Sequence, residues 1–510
     1  MSIIGIDLGT TNSAVAVTDS MGITSTLAGR DGSRIVPSVV YFDPAGDVVV
    51  GQRAKSMAVM EPDRVAMLFK RGMGEATFLG DGSNFSVDGK TWGPEELSSL
   101  VLKKMLATAE EALGEPVTGA IVTVPAYFGE PERTATREAA ELAGVPLLRI
   151  INEPTAAALA HGVDSDSRDT NVLVFDLGGG TFDVTVMTVE SDGEMTVKST
   201  GGNHKLGGAD FDAAIIGIMA ERAQAELGVD ILAEDWMLAD ARDKAEEIKK
   251  ELSTVDSVSR PLQTGGRPFV FTLTRDEFEA ALTDTVEDVS DMVEITLDES
   301  GFSKDQIDTV LMMGGSARIP AFAELLRRMF GKEPQFSKNL DEDVARGASI
   351  LATKVGGEFD PRSELAALAV PTDIASHGLG VTVVDSETGQ DTNAIVLAAG
   401  TPIPAVASET FYARSDGQTD VSLEINEGDD EDLAYCRELG RGDASFGRPV
   451  RKGYPIRIQI SYNEEQIVEL LAYDGETNAL IGEVRLKREG GRTDLQREDA
   501  KAYISGTSVE

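Results

Sequence analysis

The chain has 510 residues, too many for one ordinary domain of ~100–200 residues. Its 41% hydrophobic and 26% charged residues are a globular composition and exclude wholesale disorder. The 87 Asp and Glu against 46 Lys and Arg leave a formal net charge of -41, which speaks against nucleic acid or an anionic membrane as a partner. Acidity of this size is read as a solubility device, with adaptation to a salty cytoplasm as the second reading. A single cysteine, Cys436, allows neither an intramolecular disulfide nor a thiolate zinc site, and His161, His204 and His377 are scattered, against a histidine metal site. The start Met1-Ser2-Ile3-Ile4-Gly5-Ile6-Asp7 lacks a basic region and puts a carboxylate in the apolar run, so no signal peptide is expected. No run approaches the ~18 apolar residues of a membrane span. A soluble, cytoplasmic protein is expected.

Up to about residue 355, short apolar runs alternate with longer helical patterns, which predicts α/β architecture. The runs at 3–8, 120–124, 172–176 and 309–313 end at Gly, Pro or Asp and read as buried strands. Helices are predicted over 95–113, 131–143, 238–252 and 321–330, with Pro131 in a first turn that tolerates it. Gly89-Lys90-Thr91 resembles the end of a phosphate-binding P-loop, but the required first Gly falls on Asn84, and a hairpin turn is the better reading. Gly356-Gly357-Glu358-Phe359-Asp360-Pro361 is turn-rich and reads as a boundary. Beyond it, strand-like runs at 381–384, 394–397, 409–413, 421–425, 456–461, 468–473 and 481–486 predict a small β-sandwich. The polar tail from Glu489 is expected to fray or to form a short helix. The expected division is 1–355, a linker over 356–371, a sandwich over 372–488 and a tail over 489–510.

One pattern occurs twice. Ile4-Gly5-Ile6-Asp7-Leu8-Gly9-Thr10-Thr11 is echoed by Val174-Phe175-Asp176-Leu177-Gly178-Gly179-Gly180-Thr181, each followed by a returning apolar run. Glycines without a Cβ let backbone N–H groups approach a phosphate, and threonine hydroxyls add donors. A carboxylate at the strand end repels phosphate unless a cation lies between, so Asp7 and Asp176 suit a hydrated Mg²⁺ on a polyphosphate. A single such hairpin is an ordinary Gly turn; its repetition points to two half-domains facing one site. Ile151-Asn152-Glu153-Pro154-Thr155-Ala156-Ala157-Ala158-Leu159 puts Glu153 just before a helix start, either aimed at a site or simply complementing the helix dipole. Met313-Gly314-Gly315-Ser316-Ala317-Arg318-Ile319-Pro320 ends a strand in Gly-Gly, where a flat base or ribose can lie on the backbone.

Taken together these motifs resemble the seventy-kilodalton heat-shock chaperones of the DnaK type, within the actin/hexokinase ATPase superfamily. The resemblance rests on residues 5–13, 85–90 with 94–99, 122–128, 150–159, 174–184, 207–212 and 314–320 in family order, and more weakly on 378–381 and 400–404. It implies an actin-like ATPase fold of two duplicated halves followed by a β-sandwich. It also implies ATP/ADP with Mg²⁺ and K⁺, a role in protein folding and the stress response, and polypeptide clients, a J-domain co-chaperone and a nucleotide-exchange factor as partners. Gly9, Thr10, Thr11 and Asn12 match the first phosphate loop, and Gly178, Gly179, Gly180 and Thr181 the second, with Gly207 and Gly208 beside them. Asp7, Asp176 and Asp183 match the carboxylates around the cations. Lys70 matches the catalytic lysine and Glu153 the group that orients water, with Asp176 and Thr181 also placed in the catalytic set. Glu246, Lys249, Lys250 and Ser253 match one side of the adenosine clamp, and Gly314, Gly315, Ser316, Arg318 and Asp341 the other. Pro125 and Arg133, with Glu153, match the relay between domains; Val381, Val384, Phe411, Val421 and Leu423 match an apolar peptide groove, or else plain sandwich core.

Two departures stand out. The family linker is an Asp-flanked run of leucines, whereas Glu364-Leu365-Ala366-Ala367-Leu368-Ala369-Val370-Pro371 lacks most of the bulky side chains, so weak docking of the linker is expected. The helical lid expected after the sandwich is replaced by a short polar tail. The reading is a lidless, DnaK-like ATPase of slow turnover that binds unfolded polypeptide. Alternatives are an ATPase-fold scaffold for one dedicated protein, an actin-like filament, and a small-molecule kinase, for which no sugar-site Asp signature is found.

Overall fold

The structure, a computed structural model, describes residues 2–79, 82–161, 169–191, 194–337, 339–357, 359–385, 388–465, 467–484, 486 and 494–510. Glu358 of the predicted boundary turn and residues 487–493, where the predicted tail begins, lie outside the described residues.

Two sheets are built to one plan. In the first, Ser2–Leu8 is central, with Val117–Val124 and Leu147–Asn152 parallel on one side and Asn12–Thr18 and Thr24–Thr26 antiparallel on the other. In the second, Thr170–Leu177 is central, with Thr309–Met313 and Gln335–Phe336 parallel on one side and Phe182–Val189 and Met195–Asn203 antiparallel on the other. The repeated sequence pattern is therefore a repeated hairpin at the same place in each sheet. The central strands are buried on both faces, which is why they read as continuous apolar runs.

Between the sheets, helix Asp343–Gly356 crosses helix Glu153–His161. A Cβ on Gly347 would stand 1.6 Å from the carbonyl oxygen of Ala156, so only glycine opposite an alanine run permits this crossing. The second half has the larger aromatic core: Phe175 packs against Phe182 and Phe322, and Phe322 against Phe211. Phe85–Val87 and Lys90–Trp92 form the hairpin expected in place of a P-loop, turning through Asp88 and Gly89 at φ 51° and 75°.

The C-terminal region is a sandwich of two four-stranded antiparallel sheets. One runs Asp391–Leu397, Leu379–Val384, Gln418–Glu427, Arg437–Val450; the other Ala405–Tyr412, Pro455–Tyr462, Val468–Asp474, Leu480–Val484. Each predicted strand is found, but Arg437–Val450, the longest at 14 residues, escaped the sequence reading. Its apolar positions are thinned by Gly440, Gly442 and Gly447, and cross-strand pairing with Gln418–Glu427 defines it instead.

The linker corrects the expectation of weak docking. Leu365 is 3% exposed, and Leu368 packs against the cluster between the two halves. Thr372 then pairs beside the edge strand Met195–Asn203: Val197 N donates to Thr372 O at 3.0 Å and Thr372 N to Met195 O at 2.9 Å. Backbone pairing needs no leucines. Residues 494–510 of the polar tail are seated on the first half. Asp494–Gly506 is a 13-residue helix seated on helices Glu130–Ala143 and Pro94–Leu113 of the first half. Ile504 is fully buried there, and Lys103 Nζ donates to the carbonyls of Ile504, Ser505 and Thr507 at 2.6, 3.0 and 2.8 Å, satisfying the helix end. Lys90 Nζ lies 3.6 Å from the ring centroids of both Trp92 and Tyr503, and Glu510 pairs with Val48 and Val50 at 3.0 Å. Ala500 is buried beside Ile504, Val509 packs on the same core and Tyr503 meets Trp92 edge-on, so a few spaced apolar contacts, with the cations and backbone, seat the tail.

Candidate functional site

The two hairpin turns face each other. A Cβ on Gly179 would meet the Thr11 side chain at 2.3 Å, one on Gly180 the Thr10 side chain at 2.4 Å, and one on Gly207 the Gly180 nitrogen at 2.6 Å. Gly208 N donates to Gly178 O at 3.0 Å and Ala209 N to Gly179 O at 2.8 Å, which ties the start of helix Gly208–Leu227 to the second turn. The result is two facing glycine turns with threonine hydroxyls between them and no side chain in the way, surroundings that suit a polyphosphate, while the first N–H groups of that helix are taken by the turn's own carbonyls.

At its floor lies a buried charge cluster. Lys70, 2% exposed, sits in the short turn Phe69–Gly72 and donates from Nζ to Glu153 Oε1 at 2.8 Å. The Phe128 ring centroid lies 5.6 Å from Nζ. Asp7 accepts from Thr123 Oγ1 at 3.1 Å; Asp183 accepts from the Tyr127 backbone N–H at 2.8 Å and stands directly across the hairpin from Asp176. Burial and then the charge of Glu153 push Asp7 up to about 7, although Lys70 and Thr123 pull the other way. The same two causes raise Asp183 to about 7. Asp176 is raised well above the ordinary range by burial, Glu153, Asp183 and Asp7. Four carboxylates around one ammonium are short of positive charge, and a divalent cation fits that deficit. Among the described residues no three carboxylate, imidazole or thiol groups form a closed metal cage. A divalent cation here would need phosphate oxygens and water beside these carboxylates to complete its shell.

The expected adenosine positions lie in the second half, on or just after helix Asp235–Leu252 and around the 314–318 turn. Lys249 Nζ donates to Gly208 O at 2.8 Å and pairs with Asp212 at 2.8 Å; Ser253 donates to Lys249 O at 3.3 Å. Glu246 is held by Lys250 at 2.6 Å and by Lys55, which reaches over from helix Gln52–Met57 of the first half. Burial alone would raise Glu246, but Lys55 and Lys250 bring it down to about 2. Gly314 turns at φ 76° where a Cβ would meet Leu177 O at 2.4 Å and Asp176 Oδ1 at 2.6 Å. Gly315 is exposed, Ser316 is buried, and Arg318 pairs with Asp341 at 2.7 Å.

The sandwich grips the loop that leads out of this floor. Pro125 opens the turn, accepting at its carbonyl from Phe128 N at 3.2 Å. Arg133, 2% exposed, donates to Phe128 O at 2.8 Å and to Asn152 Oδ1 at 2.7 Å. Asn152 in turn donates to Asp373. Ser376 donates to Ala126 O at 2.7 Å, His377 Nε2 lies 3.2 Å from Tyr127 O, and the Glu427 carboxylate accepts from Glu130 N at 3.0 Å. Of the five groove positions, Val381 and Leu423 are buried in the sandwich core, while Val384, Phe411 and Val421 are half-buried. The sequence reading missed Thr123, Tyr127, Asp373, Ser376, His377, Glu427 and Arg437. Tyr127 acts through its backbone, and the sandwich residues acquire meaning only through docking.

A two-lobed cleft of duplicated sheets, with paired Gly/Thr turns over buried carboxylates, defines an actin-like ATPase domain, here followed by a β-sandwich. The chain matches the sequence model of the Hsp70 protein family over residues 3–501 and belongs to that family. Its members are ATPases that bind ATP or ADP with Mg²⁺ and act as chaperones on polypeptides with co-chaperone partners. Among the described residues no helix is long and apolar enough to cross a membrane.

Proposed function

We propose that this chain hydrolyses ATP to ADP and phosphate between the two lobes and couples that step to polypeptide binding by the sandwich. The unit over 1–355 is the nucleotide-binding part, 356–371 the linker, 372–488 the client-binding part and 489–510 the tail. The observation that carries the reading is the buried Lys70–Glu153 pair at 2.8 Å beneath the facing hairpins. Gly9, Thr10, Thr11, Asn12, Gly178, Gly179, Gly180 and Thr181 hold the phosphates, and Asp7, Asp176 and Asp183 are suited to the hydrated cation. Mg²⁺, when bound, offsets phosphate charge. Glu153 accepts a hydrogen bond from the attacking water and orients it toward the γ-phosphorus. The water oxygen forms the new P–O bond, the bond to the bridging oxygen of ADP breaks, and the water's protons pass to the released phosphate and to solvent. Lys70 stabilises charge on the transferred group as it leaves.

The test is Lys70→Ala. Turnover is expected to fall ~10³-fold, as when a transition-state donor is lost, with ATP affinity nearly unchanged. Equal losses in binding and turnover would remove Lys70 from the reaction. Titration with unrelated apolar peptides tests the coupling, and broad stimulation of turnover is expected. The burial of Val381 and Leu423 favours a second reading, a scaffold for one dedicated protein, and failure of every peptide to stimulate selects it.

A further inference from the structure

The two glycine turns of the cleft are backed in different ways. In the second, the carbonyl of Gly178 accepts from Gly208 N at 3.0 Å and that of Gly179 from Ala209 N at 2.8 Å, so the start of a helix holds both. In the first, one residue does this alone. Ser38 Oγ donates to Gly9 O at 2.7 Å, and Ser38 N donates to Thr11 O at 2.9 Å. Ser38 is 1% exposed and lies just after strand Ile35–Pro37, whose Pro37 pairs with Asn12 at the end of the same turn. Pro37 O also accepts from Val39 N at 2.8 Å, so the backbone is fixed on both sides of Ser38. A serine hydroxyl has one proton, and here Gly9 O takes it. The buried Ser13 hydroxyl, 2.9 Å away, therefore donates to Ser38.

The C=O and N–H of a trans peptide unit point in opposite directions. With the Gly9 and Thr11 carbonyls turned into Ser38, the N–H groups of Thr10 and Asn12 point the other way. The side chains of Thr10 and Thr11 meanwhile face Gly180 and Gly179 of the second turn. A Cβ on Gly9 would stand 2.0 Å from Asn12 O, so the turn requires glycine there. Glycine also moves between backbone conformations at little steric cost, so the peptide after Gly9 needs an outside restraint to keep one orientation. Reversed, it would present a carbonyl oxygen where an N–H had been, and that oxygen repels a phosphate. We propose that Ser38 is a positioning residue for the first turn: its hydroxyl and N–H hold the two carbonyls back and so keep the Thr10 and Asn12 N–H groups set for a polyphosphate. This rests on the reading of residues 9–12 as a phosphate turn, and it adds to that turn a buried side chain that acts only through the backbone.

The test is calorimetric titration of the full chain carrying Ser38→Ala with ATP, ADP and adenosine. ATP and ADP are expected to bind about tenfold more weakly, the size of one lost hydrogen bond to a charged group, while adenosine, which has no phosphate, stays within about twofold of the parent. Ser38→Cys fills nearly the same space with a weaker donor, so it should show the same phosphate-selective loss at about fivefold, and it carries the test if the alanine variant does not fold. Ser13→Ala, one hydrogen bond further from the turn, should lose less ATP affinity than Ser38→Ala. ATP affinity within about twofold of the parent for Ser38→Ala, or for Ser38→Cys where alanine does not fold, overturns the proposal. So does an equal loss for adenosine, which is what a general loosening of the lobe would give. A parent chain that binds ATP no more tightly than adenosine would instead remove the phosphate reading of the turn on which the proposal stands, so the two failures are separable.

Discussion

The two lobes start from the same hairpin and end in different company. In the first, Asp7 stands opposite Ala14 and takes its hydrogen bond from Thr123 on the neighbouring strand; in the second, Asp176 stands opposite Asp183. The first lobe alone contributes Lys70 and Glu153, and it makes the hydrogen bonds and ion pairs with Asp373, Ser376, Glu427, Glu464 and Arg437 of the sandwich side. The second lobe contributes Lys249, Ser253 and Ser316, the residues proposed for the adenosine side, and its apolar core is richer in phenylalanine. Duplication thus supplied two like Gly/Thr turns, and under the proposed function the first lobe adds Lys70 and Glu153 while the second adds the residues proposed for base recognition.

That division makes quantitative claims. The widest gap should separate two lysines. Lys70→Ala is expected to cut turnover ~10³-fold at nearly constant ATP affinity, whereas Lys249→Ala should weaken nucleotide binding about tenfold and leave single-turnover chemistry intact. The check is single-turnover hydrolysis beside calorimetric nucleotide titration, and similar profiles for the two variants would erase the comparison.

Next in size are the cores. Phe175→Ala, in a fully buried aromatic cluster, should cost ~3–5 kcal/mol in chemical denaturation. Ile504→Ala should cost ~2–3 kcal/mol at the low end of its class, because the tail can also release. It should speed amide exchange at Val50, whose N–H donates to Glu510 O at 3.0 Å, while leaving the second lobe's core amides protected. Uniform exchange throughout the chain would contradict a tail that belongs to the first lobe.

A smaller effect concerns the pair that bridges the lobes. Glu246 titrates near about 2 when folded, below its ordinary value of 4.5, because Lys55 and Lys250 outweigh its burial. A depressed carboxylate gives stability that is present above the unfolded value and is lost as pH falls through the folded one. Glu246→Gln should therefore be less stable than the parent at neutral pH by about 1–3 kcal/mol, and the difference should vanish between pH 4.5 and about 2. Acid titration of the midpoint for both proteins measures it. Least of all, Arg327→Ala, which breaks an exposed pair with Glu333, should leave the denaturation midpoint nearly unchanged; a clear loss would mean that the surface of the second lobe holds more than its core predicts.

Much of this molecule was legible before any fold was in hand. Buried strands need continuous apolar runs and helices need caps and periodicity, so the central strands of both sheets and helices Pro94–Leu113, Glu130–Ala143 and Asp235–Leu252 could be read locally. The repeated Asp-Leu-Gly hairpin announced two like halves because turn chemistry is written in adjacent residues. Strand Arg437–Val450 was not legible, since long-range pairing and not its own pattern holds it straight. The seating of the linker and tail was hidden for the same reason: backbone hydrogen bonds leave no mark on side-chain composition. The resemblance had already grouped Asp7, Asp176 and Asp183, but only the tertiary structure buried them beside Glu153 and so raised Asp7 and Asp183 to about 7. It alone brought Tyr127 N to Asp183, Asp373 to Asn152 and Arg437 to Gly74, because electrostatic energy depends on distance through space and on exclusion of water. Neither quantity can be read along the chain.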